Sequence, residues 1–148
     1  MTPVDSVERL QVYDVVDAGV PNQERFGIYV RDYCDLSKIC VVVGARNYDG
    51  STVPVRDQLL WLGHGLAYPG DWIIVYTAAG TTTVNAWGET LPNGYQPRLF
   101  SVHWGKDHTI FQNRGLVPMI LEIAGSSIPE APEPQYQGAR KIDSPRKW

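Results

Sequence analysis

Apolar and polar side chains alternate with a period of two over much of the first 125 residues, the spacing of half-buried strands. Phe26, Ile28 and Val30 alternate with Gly27, Tyr29 and Arg31, and Leu10, Val12 and then Val15-Val16 start a similar rhythm earlier. Residues 39–43, Ile-Cys-Val-Val-Val, form a mostly β-branched run that predicts a strand covered on both faces. The run stops at Gly44, and Asp49-Gly50 then supplies the positive φ of a hairpin turn. Thr52-Val53-Pro54-Val55 contains a proline and so belongs at a sheet edge or a strand end, with residues 59–62 a separate apolar segment. Pro69-Gly70 has the signature of a type II turn. It leads into residues 72–77, Trp-Ile-Ile-Val-Tyr-Thr, the clearest buried strand of the chain, and Trp72 at its head is read as core, as is Trp61.

Residues 84–87 predict a short strand, and residues 89–97, with two prolines and Asn93-Gly94, a long loop. Leu99, Ser101 and His103 then alternate with Phe100, Val102 and Trp104. Residues 105–108 form a tight turn, residues 109–111 restart the sheet, and residues 117–123 make the last strand. Only residues 4–16 have a helical alternative, since Val4, Val7 and Leu10 recur every three positions before Val12 and Val15 leave that face. Short strands with turn signals between them and few helical windows predict an all-β fold. The expected form is a single β-sandwich, immunoglobulin-like or jelly-roll-like.

The pattern breaks at Gly125. Residues 126–148 hold four prolines and no apolar period, which divides the chain into a sandwich domain, residues 1–125, and an extended C-terminal arm, residues 126–148. At 148 residues, 43% apolar and 20% charged, the chain has room for one domain with a core that needs no metal or disulfide staple. A net charge of −3 gives no basic field for a polyanion, so no nucleic-acid partner is expected. That charge is divided: residues 1–125 carry nine basic and thirteen acidic side chains, net −4, and the arm is net +1. The longest apolar runs are strand-sized, so no membrane partner is expected. Residues 1–10 hold Asp5, Glu8 and Arg9 where a secretory leader needs an apolar stretch. The chain is therefore expected to be made and folded in a cytoplasm, and to leave it only within a larger particle such as a virion.

Three short pieces between Arg25 and Thr83 resemble a lamin-tail domain, an immunoglobulin-like sandwich. They are Ile28-Tyr29-Val30 followed by Asp35-Leu36-Ser37, the next strand over residues 40–44, and the Pro69-Gly70 turn between Leu66 and the strand Ile73-Ile74-Val75. Lys38 stands where that family usually has glycine, and Tyr68 is an insertion in its turn pattern. The resemblance implies a non-enzymatic binding or structural module.

Candidate chemistry is sparse. His103 and His108, with Asp107 between them, could hold a metal or act as acid and base across a turn, with His64 as a distant third ligand. Yet H-x₄-H is not an established zinc spacing, and the expectation is hydrogen-bonded turn histidines with no metal and no cofactor. Cys34 and Cys40 are expected to be free, buried or half-buried thiols, with a disulfide or a redox pair as the alternatives. Asp32, Asp35, Asp49, Asp57, Asp71 and Asp107 are scattered, several in turn positions where a carboxylate bonds local amides. No nucleotide-binding or nucleophile-elbow motif is present.

The aromatic residues carry more. Trp87 and Trp104 adjoin glycine-containing turns, where an exposed indole marks a protein- or sugar-binding surface. In the arm, Tyr136, Ile142 and Trp148 are spaced six apart, and Arg140, Lys141, Arg146 and Lys147 all fall in the last nine residues. Such an arm suits docking along a neighbouring subunit that is net acidic. The expected function is a non-catalytic structural or interaction subunit of an oligomeric assembly, its partners being protein subunits, either itself or other components. By analogy with arm-bearing subunits, the setting is a phage virion or tail-like particle. The alternatives are a carbohydrate- or ligand-binding β module and, third, a hydrolase or metal enzyme centred on His103 and His108.

Overall fold

The computed structural model describes residues 7–132. Within them the chain forms β1 (Leu10–Val12), β2 (Arg25–Val30), β3 (Cys34–Asp35), a 3-10 turn (Leu36–Lys38), β4 (Ile39–Arg46), β5 (Thr52–Trp61), β6 (Leu66–Ala67), β7 (Trp72–Ala78), β8 (Thr83–Ala86), β9 (Arg98–Lys106) and β10 (Leu116–Glu122). A five-stranded sheet runs β1-β2-β7-β9-β8, a three-stranded sheet runs β10-β4-β5, and β3 pairs with β6. All pairings are antiparallel except that of β7 with β9. That parallel pair arises because the chain skips one strand position after β7, lays down β8, and returns through residues 87–97 to fill the gap with β9. Among the described residues no helix is long and apolar enough to cross a membrane.

The fold is an all-β sandwich whose two larger sheets share one core. Period-two alternation sends Phe26, Ile28 and Val30 of β2 and Ile73 and Val75 of β7 inward against Ile39, Val41 and Val43 of β4. Each such side chain contributes roughly 1.5–3 kcal/mol through removal from water. Cys34, Leu36 and Ala67 extend the core at the small sheet, and Ile110 and Phe111 plug the other end, where Phe111 meets Phe26 edge to face at 6.0 Å. β4 is covered on both faces as its run of residues implies, for Cys40 and Val42, on the side away from the core, are only 7% and 4% exposed. The Pro69-Gly70 turn forms, closed by the Asp71 N–H donating to the Tyr68 carbonyl at 3.0 Å, with Gly70 at φ +100.

Four local readings of the sequence need correction. Trp61, read as core, is the first, for it keeps 45% of its area in water; the strand rhythm at Leu10 and Val12 holds against its helical alternative, since β1 pairs with β2 and Val16 bridges Arg25. Residues 52–55 and 59–61 are not two strands but one, β5, interrupted by a bulge in which residues 55–58 stand against the single residue Val43. Asp57 absorbs the extra length at φ +66, a conformation that aspartate tolerates better than most residues. Residues 109–111 do not rejoin a sheet, because the N–H groups of Ile110 and Phe111 donate to the Glu24 carboxylate rather than to a strand.

Trp72 is the fourth. Ile73, Val75 and Thr77 take the inward side of β7, so Trp72, Ile74 and Tyr76 face outward. The indole lies half-buried over Gly27, where an added Cβ would fall 3.2 Å from the ring. Trp72→Ala is therefore expected to cost about 1–2 kcal/mol, against about 3–5 for Phe26→Ala. Urea melts of the two variants check this; an equal loss in both would put the indole in the core.

Candidate interaction surface

The three-stranded sheet turns an apolar face away from the core. Residues directly opposed in an antiparallel ladder share a face. Val42 stands between Leu59 and Met119, and Cys40 between Trp61 and Leu121. Val117, opposite Gly44, extends the row along β10, and Ile123 follows beyond the strand. A Cβ built on Gly44 would lie 3.3 Å from the Met119 sulfur, which places that thioether over the glycine on this face. Leu59 and Trp61 keep 58% and 45% of their area in water, and Leu121 and Ile123 are also exposed.

Trp61 is held in place. Its Nε1–H donates to the Ser37 carbonyl at 2.7 Å, and His64 meets its ring edge to face at 5.0 Å. Ser37 is fixed in turn, because the Asp35 carboxylate accepts from its backbone N–H and its hydroxyl. These bonds, the side-chain bond first, hold the Asp35 carboxyl below its ordinary value. An indole immobilised before any partner arrives loses little entropy on binding, the property of an interface anchor. Beside the free edge of β10, where it meets β1 of the five-stranded sheet, runs a groove of about 840 Å³, lined by Val7, Leu10 and Val12 on one wall and residues 119–124 on the other, with Lys38 at its margin.

The other sequence-derived candidates do not gather in one place. Trp87, 50% exposed, lies just past β8 beside Pro97, where its backbone N–H donates to the Pro97 carbonyl. Trp104 packs partly against the core near the far end of β9, with the Lys106 ammonium 5.9 Å from its ring centroid. Seven residues of extended chain, about 23 Å, separate Pro97 from Trp104, so the two indoles form no single patch. Tyr136, Arg140, Lys141, Ile142, Arg146, Lys147 and Trp148 lie outside the described residues.

The three histidines sit on separate surfaces. His64 is at Trp61. His103 faces outward from β9, stacked on Tyr76 at 5.1 Å and overlaid by the backbone of Gly80, and its Nδ1 is buried without a partner among the described residues. His108, exposed in the turn beyond β9, bonds Asp107 at 2.7 Å. No cluster of three or more His, Cys, Asp or Glu side chains among the described residues is placed to hold a metal ion. Cys34 and Cys40 are free and buried, and burial pushes both thiols up from their ordinary value. On the outer face of the five-stranded sheet, Trp72 packs with Tyr13 at 5.3 Å and Tyr29 at 5.0 Å, a second aromatic surface.

Sequence reasoning missed the apolar outer face, although a signal for it exists. In residues 39–43, 59–62 and 117–123 both parities are apolar, which marks a sheet with two faces to cover and only one core to cover them. It also missed the buried Glu24, and it read Asp71 only as a local turn carboxylate. Glu24 accepts from the N–H groups of Gly19, Ile110 and Phe111 and from the Thr77 hydroxyl. Asp71 accepts from the N–H groups of Tyr68 and Arg98, the Tyr95 hydroxyl and the Arg98 guanidinium. Both carboxylates are occupied in holding loops, which suits structure rather than proton transfer. Neither a protein-family model, nor a curated protein, nor a solved structure matches the chain.

Proposed function

We propose that the chain is a non-catalytic structural and interaction subunit of an oligomeric assembly, with a phage virion or tail-like particle as its setting. One observation carries this reading: the outer face of the three-stranded sheet leaves Leu59 and Trp61 on one flank of β4, and Leu121 and Ile123 on the other, in water. A contiguous apolar face of that kind is rare on a protein that works alone and is the usual core of a protein–protein contact. The pinned Trp61 supplies its anchor. The lamin-tail resemblance supports the same class of module. The partners are then protein subunits, copies of this chain or other components, and no cofactor takes part. Light scattering on size-separated full chain is expected to give a mass above the monomer, falling toward the monomer in Leu59→Asp. Leu59 is mostly exposed, so the substitution spares the core. A wild-type chain that stays monomeric at every accessible concentration, alone and with the other proteins of its source, defeats the proposal.

A second reading, a carbohydrate- or ligand-binding module, draws on Tyr13, Trp72 and Tyr29 on the opposite sheet. Clustered aromatic faces suit the apolar faces of sugar rings. Oligosaccharide titrations that shift tryptophan emission in the wild type, but not in Trp72→Ala, would favour it over an assembly role.

A further inference from the structure

We propose that the groove beside β10 receives the C-terminal arm of a second copy of the chain, residues 135–144 adding as a strand to the open edge of β10. The inference rests on the assembly reading above and names the contact by which copies would join.

The edge can be read from its hydrogen bonds. The Ile123 N–H donates to the Lys38 carbonyl, and the Arg46 N–H to the Gly115 carbonyl. Odd-numbered residues of β10 thus point their backbone groups at β4, and Leu116, Pro118, Ile120 and Glu122 point theirs away from it. The first half of that open edge is blunted: the Leu116 N–H is spent on the Asn113 carbonyl, and Pro118 has none. The second half is not. The N–H groups of Ile120 and Glu122 and the carbonyls of Pro118, Ile120 and Glu122 have no backbone partner among the described residues. This half is also the one that the groove follows, with Val7, Leu10 and Val12 as an apolar wall opposite. A ladder of free backbone groups beside apolar side chains is what an added strand requires.

The arm fits that description. Pro134 and Pro145 bracket ten residues without proline, able to donate throughout a ladder. In an extended strand Tyr136, Gly138, Arg140 and Ile142 share one face. Tyr136 and Ile142 are then about 20 Å apart, a little more than the roughly 17 Å of extended chain from Met119 to Ala124. Their face meets the apolar wall, and Arg140 on that face passes Glu122, while Lys141 on the other face adds to the attraction of a body that is net −4. Lys38 at the margin opposes this attraction.

The path favours a neighbour over the arm's own domain. Residues 124–132 are exposed, make no hydrogen bond to a described residue and contain Pro129 and Pro132, which hold chain extended. Eleven residues from Ala124 to Gln135 reach up to about 36 Å, the width of a domain of this size.

The test uses two full-length variants. Glu122→Pro removes one open-edge N–H at an exposed position and leaves the ladder to β4 intact. Tyr136→Ser with Ile142→Asp spoils the arm. Each variant alone is expected to dissociate at least tenfold more readily than the wild type, measured by sedimentation or light scattering. An equimolar mixture should recover one contact per pair, an intact arm in an intact groove, and give a heterodimer. Circular dichroism on each variant checks that it folds. If both variants assemble as well as the wild type and Leu59→Asp does not, the assembly reading stands and the arm contact falls. If all three assemble as the wild type does, the arm contact and the face both fall. Monomeric variants that fail to complement, or a wild-type monomer in which cross-links join the arm or residues 1–6 to residues 119–124 of the same chain, overturn the exchange between copies.

Discussion

Replacing Glu24 with alanine is expected to destabilise the domain by about 4 kcal/mol, a large share of the roughly 5–15 kcal/mol that holds a domain of this size together. Glu24 is 1% exposed, and its two oxygens accept four hydrogen bonds. Without them the N–H groups of Ile110 and Phe111 and the Thr77 hydroxyl are left buried and unpaired, each costing about 1–3 kcal/mol, while the Gly19 N–H, nearer the surface, finds water. The damage is amplified because residues 110 and 111 plug the end of the core and have no strand ladder to hold them in its place. Burial alone would push the Glu24 carboxyl up, but the bonds from Ile110, Gly19, Thr77 and Phe111 outweigh it and hold the group below its ordinary value of 4.5. A depressed folded value means that the native state binds fewer protons than the unfolded one. The stabilisation is therefore whole above the ordinary value and is lost as pH falls through the folded value. Urea melts of wild type and Glu24→Gln across acid and neutral pH read this directly: the gap between them should be widest near neutrality and narrow below about pH 4.5. A gap that is independent of pH, or a loss under about 1 kcal/mol in Glu24→Ala, would deny the carboxylate this role.

The contrast between β2 and Glu24 shows what the chain discloses in advance. Phe26, Ile28 and Val30 alternate with polar or outward residues, one face only is apolar, and burial follows directly. Glu24 sits two residues earlier in a turn-rich stretch, and local pattern reads it as a solvated charge. Apart from Gly19, its partners are 53, 86 and 87 residues away, and no spacing along the chain points to them. The same limit applies to Trp72. In residues 72–77 nearly every position is apolar, so the pattern announces a strand but leaves its parity open, and the core took Ile73 and Val75 because β2 and β4 present their apolar faces there. Turn carboxylates were legible as far as their local bonds extend: Asp35 caps Ser37, Asp49 caps Ser51 and Asp71 caps Tyr68. The candidate surface was half legible. Strands apolar on both faces were evident, but only the count of sheets shows that the outer face is covered by neighbouring side chains alone, which leaves Leu59, Trp61 and Leu121 exposed.

Asp71 extends that local capping into the second large expected effect, since Asp71→Ala should cost about 3–5 kcal/mol, the range for a buried ion pair that loses one partner. The residue is fully buried, and its oxygens tie three segments together. The Tyr68 N–H comes from the turn before β7, the Tyr95 hydroxyl from the long loop, and the Arg98 N–H and guanidinium from the start of β9. Burial pushes the carboxyl up, and the Tyr68, Tyr95 and Arg98 bonds together hold it below its ordinary value of 3.8. Arg98 is engaged elsewhere as well, donating to the Leu66 carbonyl at 2.8 Å and lying over the Phe100 ring at 4.7 Å, so it cannot swing out to water without losing those contacts. Removing the carboxylate leaves the half-buried guanidinium uncompensated and frees residues 87–97, which are otherwise fastened by short-range bonds such as Leu91 N–H to the Tyr95 carbonyl. Asp71→Asn keeps the shape but turns one acceptor into a donor facing donors, and should lose somewhat less. Because β9 enters its slot between β7 and β8 only after that loop returns, amide exchange should quicken in residues 87–100 before it does in β2 or β4. Hydrogen exchange read residue by residue, alongside urea melts, tests the order of opening. Uniform acceleration across all strands, or stability within about 1 kcal/mol of the wild type, would show that the return of β9 does not depend on this carboxylate.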